Sequence, residues 1–215
     1  MSQQPLLPVV EEFIAEVDQI RSIFDTCRGS RTVDRYLFPY CPFEDGCLIS
    51  LWDAWNRFLR SLVLTSVAGP ALGLSGTIYT PLAPRNEPAA LAHLHQNRRG
   101  KAYSLIDGEP KWFNTMQMVD ILGTLAAPNA TTIISALGAS SIALNPIVVN
   151  NPLEEIRECR NFVAHKSAGT LNRITGYASG GFSTLSHHLR VKRYGVETFH
   201  EWGDCMAVIA ETAAQ

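Results

Sequence analysis

Hydrophobic residues recur every three or four positions in several long segments of this chain, which is the spacing of one face of an α-helix. The first segment, residues 8–25, has acidic residues opposite an apolar stripe of Val10, Phe13, Ile14, Val17, Ile20 and Phe24. The second, residues 47–65, has polar residues opposite a stripe of Leu48, Leu51, Trp52, Trp55, Leu59, Leu62 and Val63. Both segments are predicted to be amphipathic helices that pack their apolar faces into a core.

Shorter patterns predict further helices. Three of them lie at residues 87–96, at residues 114–126, and after Asn129 through Ile133, Ile134 and Leu137. Another begins at Thr198, which has the capping-box spacing to Glu201, and its inner face comprises Phe199, Trp202, Met206 and Ile209. Together with the two long segments, these patterns favour an all-α fold built as a helical bundle.

Prolines and glycines interrupt residues 69–110, where only the helix at 87–96 and a short extended piece at 77–80 are predicted. We interpret this part as an irregular, loop-rich insertion in the bundle. The chain has 215 residues, which is enough to bury one full core. We therefore expect a single domain over residues 1–215.

Composition narrows the classes of protein that fit. Apolar residues make up 46% of the chain and charged residues 18%, which is typical of a globular protein and not of a disordered one. The net charge of −2 argues against general binding to polyanions, so contacts with nucleic acid must come from local patches. Five irregularly spaced cysteines fit a reducing compartment, and we expect a cytoplasmic protein.

Two uncharged runs, residues 61–84 and 121–153, are the candidates for a membrane span. Prolines interrupt both runs, together with glycines in the first and asparagines in the second. Neither run therefore offers about 20 unbroken apolar residues, which is the length that crosses a bilayer. We expect no membrane contact.

Residues 151–166 carry the start signals of one more helix. Asn151 is a suitable N-cap, Pro152 suits the first helical position, and Glu154 is placed as the acid of a capping box. These signals predict a helix over residues 152–166. Its core face comprises Ile156, Cys159 and Val163, and its opposite, polar face comprises Glu154, Glu158, Asn161 and His165.

Arg160, Asn161 and His165 bring three different chemical groups together on this helix. Arg160 lies at the border between the two faces, so its stem can cross apolar surface while the guanidinium reaches the polar side. Asn161 and His165 are four positions apart and are therefore neighbours. Cleavage of RNA without a metal needs a group that exchanges protons near neutral pH and a fixed cation that holds the phosphate. Histidine meets the first need and arginine the second.

The residues RNFVAH at 160–165 resemble the signature of the HEPN superfamily of endoribonucleases, which is an arginine, a polar residue, a short spacer and a histidine. The segment Trp-Asp-x-Trp-Asn-Arg-Phe at 52–58 resembles, more loosely, an aromatic helix that some HEPN proteins place before the motif helix. The resemblance implies a HEPN-like bundle in which two motif helices, one from each protomer of a homodimer, build a composite RNA-cleaving site. It makes His165 the general acid or base, places Arg160 on the phosphate, and lets Asn161 orient the histidine or a phosphate oxygen.

The resemblance also implies a product and a biological setting. Attack by the 2′-hydroxyl leaves a 2′,3′-cyclic phosphate, needs no metal or other cofactor, and spares DNA. Many relatives are toxins or act in defence against phage, so an antitoxin or another regulatory protein is a possible partner besides RNA. Members that are silenced by modification of a tyrosine carry that tyrosine two residues after the histidine. Ser167 stands there in this chain, so we do not expect that kind of control.

Two basic clusters lie outside the motif and could extend a positive surface for RNA. The clusters are Arg98, Arg99 and Lys101, close to His93 and His95, and the group Arg190, Lys192 and Arg193. The alternative for the first cluster is an ordinary solvated loop. No metal site is predicted, because the two histidines lack an evident third ligand and Cys27, Cys41 and Cys47 lack paired CxxC spacing. We interpret these three cysteines as buried thiols.

Two rival interpretations stay open at the level of the sequence. A catalytically silent HEPN-like module would bind RNA or a partner protein without generating new RNA ends, because a fold does not fix a function. A purely structural helical protein would have no affinity for RNA, and the polar face of residues 152–166 would then be solvated surface.

Overall fold

The computed structural model describes residues 3–27, 41–97, 110–165, 167–177 and 184–215. Within these ranges the chain is mainly helical, which confirms the expected class. The helices are α1 (Leu7–Thr26), α2 (Pro42–Ala68), α3 (Glu87–Asn97), α4 (Thr115–Leu125), α5 (Ala130–Leu137), α6 (Pro152–His165), α7 (Ala168–Thr175), α8 (Leu185–Arg190) and α9 (Thr198–Ala213).

Short strands accompany the helices. Three of them form a sheet in the order β1 (Gln4–Pro5), β2 (Ala71–Leu72) and β3 (Ile78–Tyr79). The β1 and β2 strands are parallel, and β2 and β3 are antiparallel. Two antiparallel pairs follow, made of β4 (Ser141–Leu144) with β5 (Ile147–Asn150) and of β6 (Lys192–Arg193) with β7 (Val196–Glu197).

The long helices agree with the hydrophobic spacing, and α2 extends beyond the predicted residues 47–65 at both ends. Pro42 suits its first position because a helix leaves that N–H without an internal partner. Glu44 and Asp45 lie in its first turn, where negative charge interacts favourably with the helix dipole. The helix predicted at 114–126 begins after Asn114, whose side chain accepts a hydrogen bond from the Gln117 backbone N–H at 3.0 Å.

Several regular elements were absent from the sequence prediction, among them the short strands β1, β2, β6 and β7. The hairpin of β4 and β5 occupies part of the uncharged run 121–153, with Ile142 opposite Val149 and both side chains buried. The helices α7 and α8 follow the motif helix, in a part of the chain for which the sequence predicted no helix. Ser167 and Thr170 form a capping box at the start of α7 and account for its position.

The chain divides into two compact units. Unit 1 comprises Met1–Phe13, Trp55–Ala139 and Ile209–Gln215. Its core includes an aromatic cluster in which the ring of Phe13 lies 5.5 Å from that of Trp55 and 4.8 Å from that of Phe58. The β1–β3 sheet belongs to this unit, and the Leu74 N–H donates to the Ala214 carbonyl at 2.8 Å.

Unit 2 comprises Ile14–Ala54 and Ser140–Val208, and it contains the motif helix α6. Its core includes Phe24 stacked on Phe199 with ring centroids 4.1 Å apart. Among the described residues, only unit 2 also buries carboxylates, namely those of Glu44, Asp45, Glu155, Glu158, Glu197 and Glu201. The expectation of one domain over the whole chain stays a prediction.

In the part of the chain that the structure describes, no helix has the length and apolar character needed to cross a membrane.

Candidate active site

Helix α6 is held in unit 2 by an apolar face and by two buried carboxylates. Ile156 and Cys159 are fully buried, as the helical spacing predicts. Burial, and then the charge of Glu155, raise the pKa of the Cys159 thiol well above its usual range, so this side chain behaves as a small apolar group. The carboxylates of Glu155 and Glu158 connect α6 to α7, α8, α9 and β6.

Glu155 is 2% exposed, and both of its oxygens accept two hydrogen bonds. Oε1 accepts from a terminal nitrogen of Arg193 and from His188 Nε2 at 2.9 Å. Oε2 accepts from Arg193 Nη1 at 2.9 Å and from Trp202 Nε1 at 3.2 Å. Burial pushes the pKa of this carboxyl upward, but the hydrogen bonds from Arg193 and His188 outweigh it and lower the pKa. Glu155 is therefore ionised and satisfied at the base of the motif helix.

A second carboxyl, that of Glu201, lies beside the same arginine. It is 1% exposed, and its Oε1 lies 3.3 Å from Arg193 Nη1. Burial raises the pKa of Glu201, and the neighbouring charge of Glu155 raises it further although Arg193 opposes the shift. Its Oε2 is buried and has no hydrogen-bond partner among the described residues. Glu201 therefore accepts a proton more readily than an ordinary glutamate.

Glu158 was predicted to lie on the polar face of the helix, and the structure shows that this position is buried. The residue is only 5% exposed, because α7 packs over this side of α6. Its Oε2 accepts from Arg173 Nε at 2.6 Å, and its Oε1 accepts from Arg157 Nη2 at 3.0 Å. Arg157 also pairs with Glu154. The N-terminal half of the polar stripe of α6 therefore includes one buried carboxylate, Glu158, which pairs with two partly exposed arginines.

The three motif residues lie at the C-terminal end of α6. His165 is exposed, and Arg160 and Asn161 are half-buried. The Nε atom of Arg160 is buried and has no hydrogen-bond partner within the described chain, which agrees with a stem that crosses apolar surface. Asn161 and His165 are one turn apart, whereas Arg160 points about 140° away from His165 around the helix axis. None of the three side chains has an ion pair or a hydrogen bond to another described residue.

The first predicted basic cluster, Arg98, Arg99 and Lys101, lies outside the described residues. The second cluster is placed differently from the expectation of a solvent-facing surface. Arg193 is occupied by Glu155 and Glu201, and only Lys192 of this cluster is exposed. RNA contact by Lys192 stays a prediction.

Arg190 is likewise turned inward. Its side chain is 9% exposed, with Nε donating to Glu44 at 2.9 Å and Nη1 donating to Glu197 at 3.1 Å. The guanidinium also lies 3.7 Å above the Phe24 ring and donates to the Phe24 carbonyl at 2.8 Å. The positive charge of Arg190 thus neutralises buried carboxylates, so the side chain is not free to bind a phosphate.

One group of side chains in the described part has the composition of a metal site. Ligand atoms of Asp25, Glu197 and His200 lie within 4.8 Å of one another. Arg190 already supplies a cation there, since Nη1 lies 3.1 Å from Glu197 and 4.0 Å from Asp25. His200 Nε2 is 3.1 Å from Asp25. A metal would have to displace the guanidinium, so these residues fit an ion-pair cluster better than a metal centre.

The three thiols that were interpreted as buried are all unbridged. Cys27 and Cys47 are buried, whereas Cys41 is half-buried. Burial raises the pKa of the Cys47 thiol to about 11, and the nearby Cys27 thiol contributes through a hydrogen bond. The Cys47 thiol is therefore protonated at neutral pH and poorly nucleophilic.

Sequence reasoning missed two residues that matter for the geometry of this site. Glu155 belongs to the core side of α6, where a charge is not expected unless its partners are known. Arg173 lies on α7, which was not predicted as a helix. The capping box of Ser167 and Thr170 was the signal that could have revealed α7.

Comparisons of this chain with family models, with curated proteins and with solved structures found no match.

Proposed function

We propose that this chain is a metal-independent endoribonuclease with a HEPN-like bundle, and that two copies of α6 in a homodimer build its active site. The observation that carries the proposal is the contrast between the two ends of α6. The N-terminal half is fixed by the saturated carboxylates of Glu155 and Glu158, whereas the C-terminal half presents Arg160, Asn161 and His165 without partners in the described chain. An anchored helix with an unpaired cation, amide and imidazole is suited to bind a ligand that pairs with these three groups.

The chemistry follows from these side chains. The imidazole of one His165 accepts the proton of the 2′-hydroxyl, and the resulting oxygen attacks the adjacent phosphorus. The bond to the 5′-oxygen breaks, and the second copy of His165, in its protonated form, donates a proton to that leaving oxygen. Arg160 neutralises the charge that develops on the phosphate, and Asn161 orients the imidazole or a phosphate oxygen. The products are a 2′,3′-cyclic phosphate and a 5′-hydroxyl.

The proposal includes a role as a toxin or in defence against phage, with an antitoxin or another regulatory protein as a possible partner. Such a role fits an enzyme whose substrate is cellular RNA.

The test compares wild type with His165→Ala and Arg160→Ala on a labelled DNA strand that contains a single ribonucleotide, so that only one 2′-hydroxyl is available for attack. Each variant should lower the cleavage rate by at least about 100-fold, because each removes a group that acts in the transition state. Sedimentation should show that both variants stay dimeric. A chelator should leave the wild-type rate unchanged.

A His165→Ala variant that cuts at the wild-type rate would remove the assignment. RNA binding without new ends, even at high protein concentration, would favour a silent RNA-binding module instead. Loss of wild-type activity in the chelator would replace the proposed mechanism by a metal-dependent one.

A further inference from the structure

We infer that Arg173 on α7 is a second phosphate-binding residue of this site, and that the buried carboxylate of Glu158 holds it in place. The inference rests on the proposed function, because it concerns RNA bound along α6. It adds a residue that lies outside the RNFVAH segment and that belongs to a different helix.

The packing of α7 against α6 brings Arg173 to the motif helix. Only two residues separate the end of α6 at His165 from the start of α7 at Ala168. Arg173 Nε donates to Glu158 Oε2 at 2.6 Å, and this bond joins positions seven residues before and eight residues after His165. A charge-assisted bond to a buried carboxylate fixes the arginine stem on the polar stripe of α6.

Arg173 keeps most of its binding capacity. Its side chain is 57% exposed although its Nε contacts a carboxylate that is 5% exposed. The two terminal nitrogens carry four N–H groups, and no other described residue pairs with them. An arginine that is anchored through Nε and open at both terminal nitrogens matches the planar fork that binds a phosphate with two hydrogen bonds.

The position of Glu158 decides which phosphate Arg173 reaches. Glu158 precedes Asn161 by one turn and His165 by two turns on the same stripe, or about 10 Å along the helix axis. Arg173 therefore lies too far from His165 to share its phosphate. It is placed for a neighbouring phosphate of a strand that runs along α6. We expect it to contribute to binding and little to the chemical step.

Arg157 provides a matched comparison within the same network. It also contacts Glu158, but its Nη2 is shared between Glu158 at 3.0 Å and Glu154. Its side chain is 39% exposed. Removal of either arginine changes the net charge by the same amount and breaks one bond to Glu158. Only Arg173 has both terminal nitrogens open, because one terminal nitrogen of Arg157 is already shared between two carboxylates.

The experiment measures binding of a fluorescent single-stranded RNA by His165→Ala protein, which should bind without cutting, over a series of salt concentrations. Adding Arg173→Ala should raise the Kd about 10-fold, the amount expected for one charge-assisted contact. The slope of log K against log salt should fall by about 0.7, the value for one phosphate of a single strand. Adding Arg157→Ala instead should change the Kd by less than about twofold and leave the slope unchanged.

Two further variants test how Arg173 is held. Glu158→Gln removes the anchor but keeps the arginine, so the Kd should rise by an intermediate factor, about threefold. Arg173→Lys should bind RNA only slightly more tightly than Arg173→Ala, because one ammonium cannot bind Glu158 and present a planar fork to the phosphate at once. With His165 present, Arg173→Ala should raise KM and leave kcat nearly unchanged. Thermal unfolding of each variant identifies any loss of RNA binding that comes from a destabilised fold.

The outcomes separate this inference from the proposed nuclease activity. RNA binding that depends on Arg173, without the appearance of cyclic-phosphate ends, would support the phosphate-binding role of Arg173 and reject the proposed nuclease activity. If wild type cleaves RNA but Arg173→Ala leaves the Kd, the KM and the salt slope unchanged, only the phosphate-binding role of Arg173 is rejected. Equal weakening by Arg157→Ala and Arg173→Ala would also overturn the inference, since a general charge effect would then explain both. Wild-type protein that binds no RNA at all would reject both proposals.

Discussion

The two units of this chain are stabilised by different kinds of interior. Among the described residues, the buried polar side chains of unit 1 are those of Ser66 and Asn129, which hydrogen-bond to each other at 2.9 Å. Unit 2 buries six carboxylates together with His188 and two threonines. An apolar interior can accept many arrangements of similar volume, whereas a buried charge is stable only with its own partners in place. Helix α6, which carries two of these carboxylates, lies in the unit with buried charges.

This difference also explains why the candidate site lies in unit 2. Glu155 and Glu158 act as two fixed points along α6, so the direction of Arg160, Asn161 and His165 is set by ion pairs as well as by packing. A catalytic helix has to present its groups within a fraction of an ångström. Buried ion pairs supply that specificity in some proteins at a cost in stability.

The largest effect is expected from removing the partner of a buried carboxylate in unit 2. Arg193→Ala leaves Glu155 and Glu201 buried without their cation, which should lower the free energy of unfolding by about 3–5 kcal/mol. The matched change in unit 1 is Asn129→Ala, which removes a neutral hydrogen bond and should cost about 1–2 kcal/mol. Urea denaturation of both variants measures the two losses. Equal losses would contradict the distinction between the units.

A second test uses the thiols, because all five cysteines belong to unit 2. Burial raises the pKa of Cys47 from 9.0 to about 11 and that of Cys205 to about 12. A group whose pKa is raised by folding contributes stability that is present below the unfolded pKa and is lost as the pH rises through the folded one. Unfolding free energy should therefore fall between pH 9 and pH 11, by up to about 3 kcal/mol for Cys47.

The control for this test is Cys47→Ala, measured by urea denaturation over the same pH range. The variant should lose less stability than wild type between pH 9 and pH 11, although it is less stable at pH 8 because of the cavity it creates. If the free energy of unfolding depends on pH in the same way for wild type and variant, the Cys47 thiol does not titrate as its burial implies.

The smallest effect is expected from the helix caps, where the two units can be compared most evenly. Asn114→Ala removes the cap of α4 in unit 1, and Ser167→Ala removes the cap of α7 in unit 2. Each should cost about 1 kcal/mol. Only Ser167→Ala should also weaken RNA binding, because α7 carries Arg173. RNA titrations that show the same Kd for both variants would mean that α7 takes no part in RNA binding.

Local spacing predicted much of the fold. The apolar stripes of α1, α2 and α6 were visible in the sequence because helix periodicity assigns one face to the core. The hairpin of β4 and β5 was missed since its strands lie in an uncharged run, where length and flanking residues decide between strand and buried helix. The alternation around Ile142 and Val149, with Asn145-Pro146 between the strands, was the available signal.

The site was predictable only where its residues are neighbours along one helix. Arg160, Asn161 and His165 share α6, so their positions at its C-terminal end follow from periodicity. The burial of Glu158 was not predicted, because periodicity gives a direction around the helix and does not reveal that α7 covers that side. The pairs of Arg193 with Glu155 and of Arg190 with Glu44 join positions 38 and 146 residues apart. No local sequence pattern predicts such pairs, so Arg190 and Arg193, which point inward, were interpreted as part of a basic surface patch.

The most direct test of the central claim is to map RNA ends in cells that express wild type or His165→Ala at equal levels. The account predicts growth arrest and accumulation of fragments that end in 2′,3′-cyclic phosphate with wild type, and neither with the variant. Identical RNA ends in the two cultures, with wild type folded and bound to RNA, would contradict a catalytic role for the exposed end of α6.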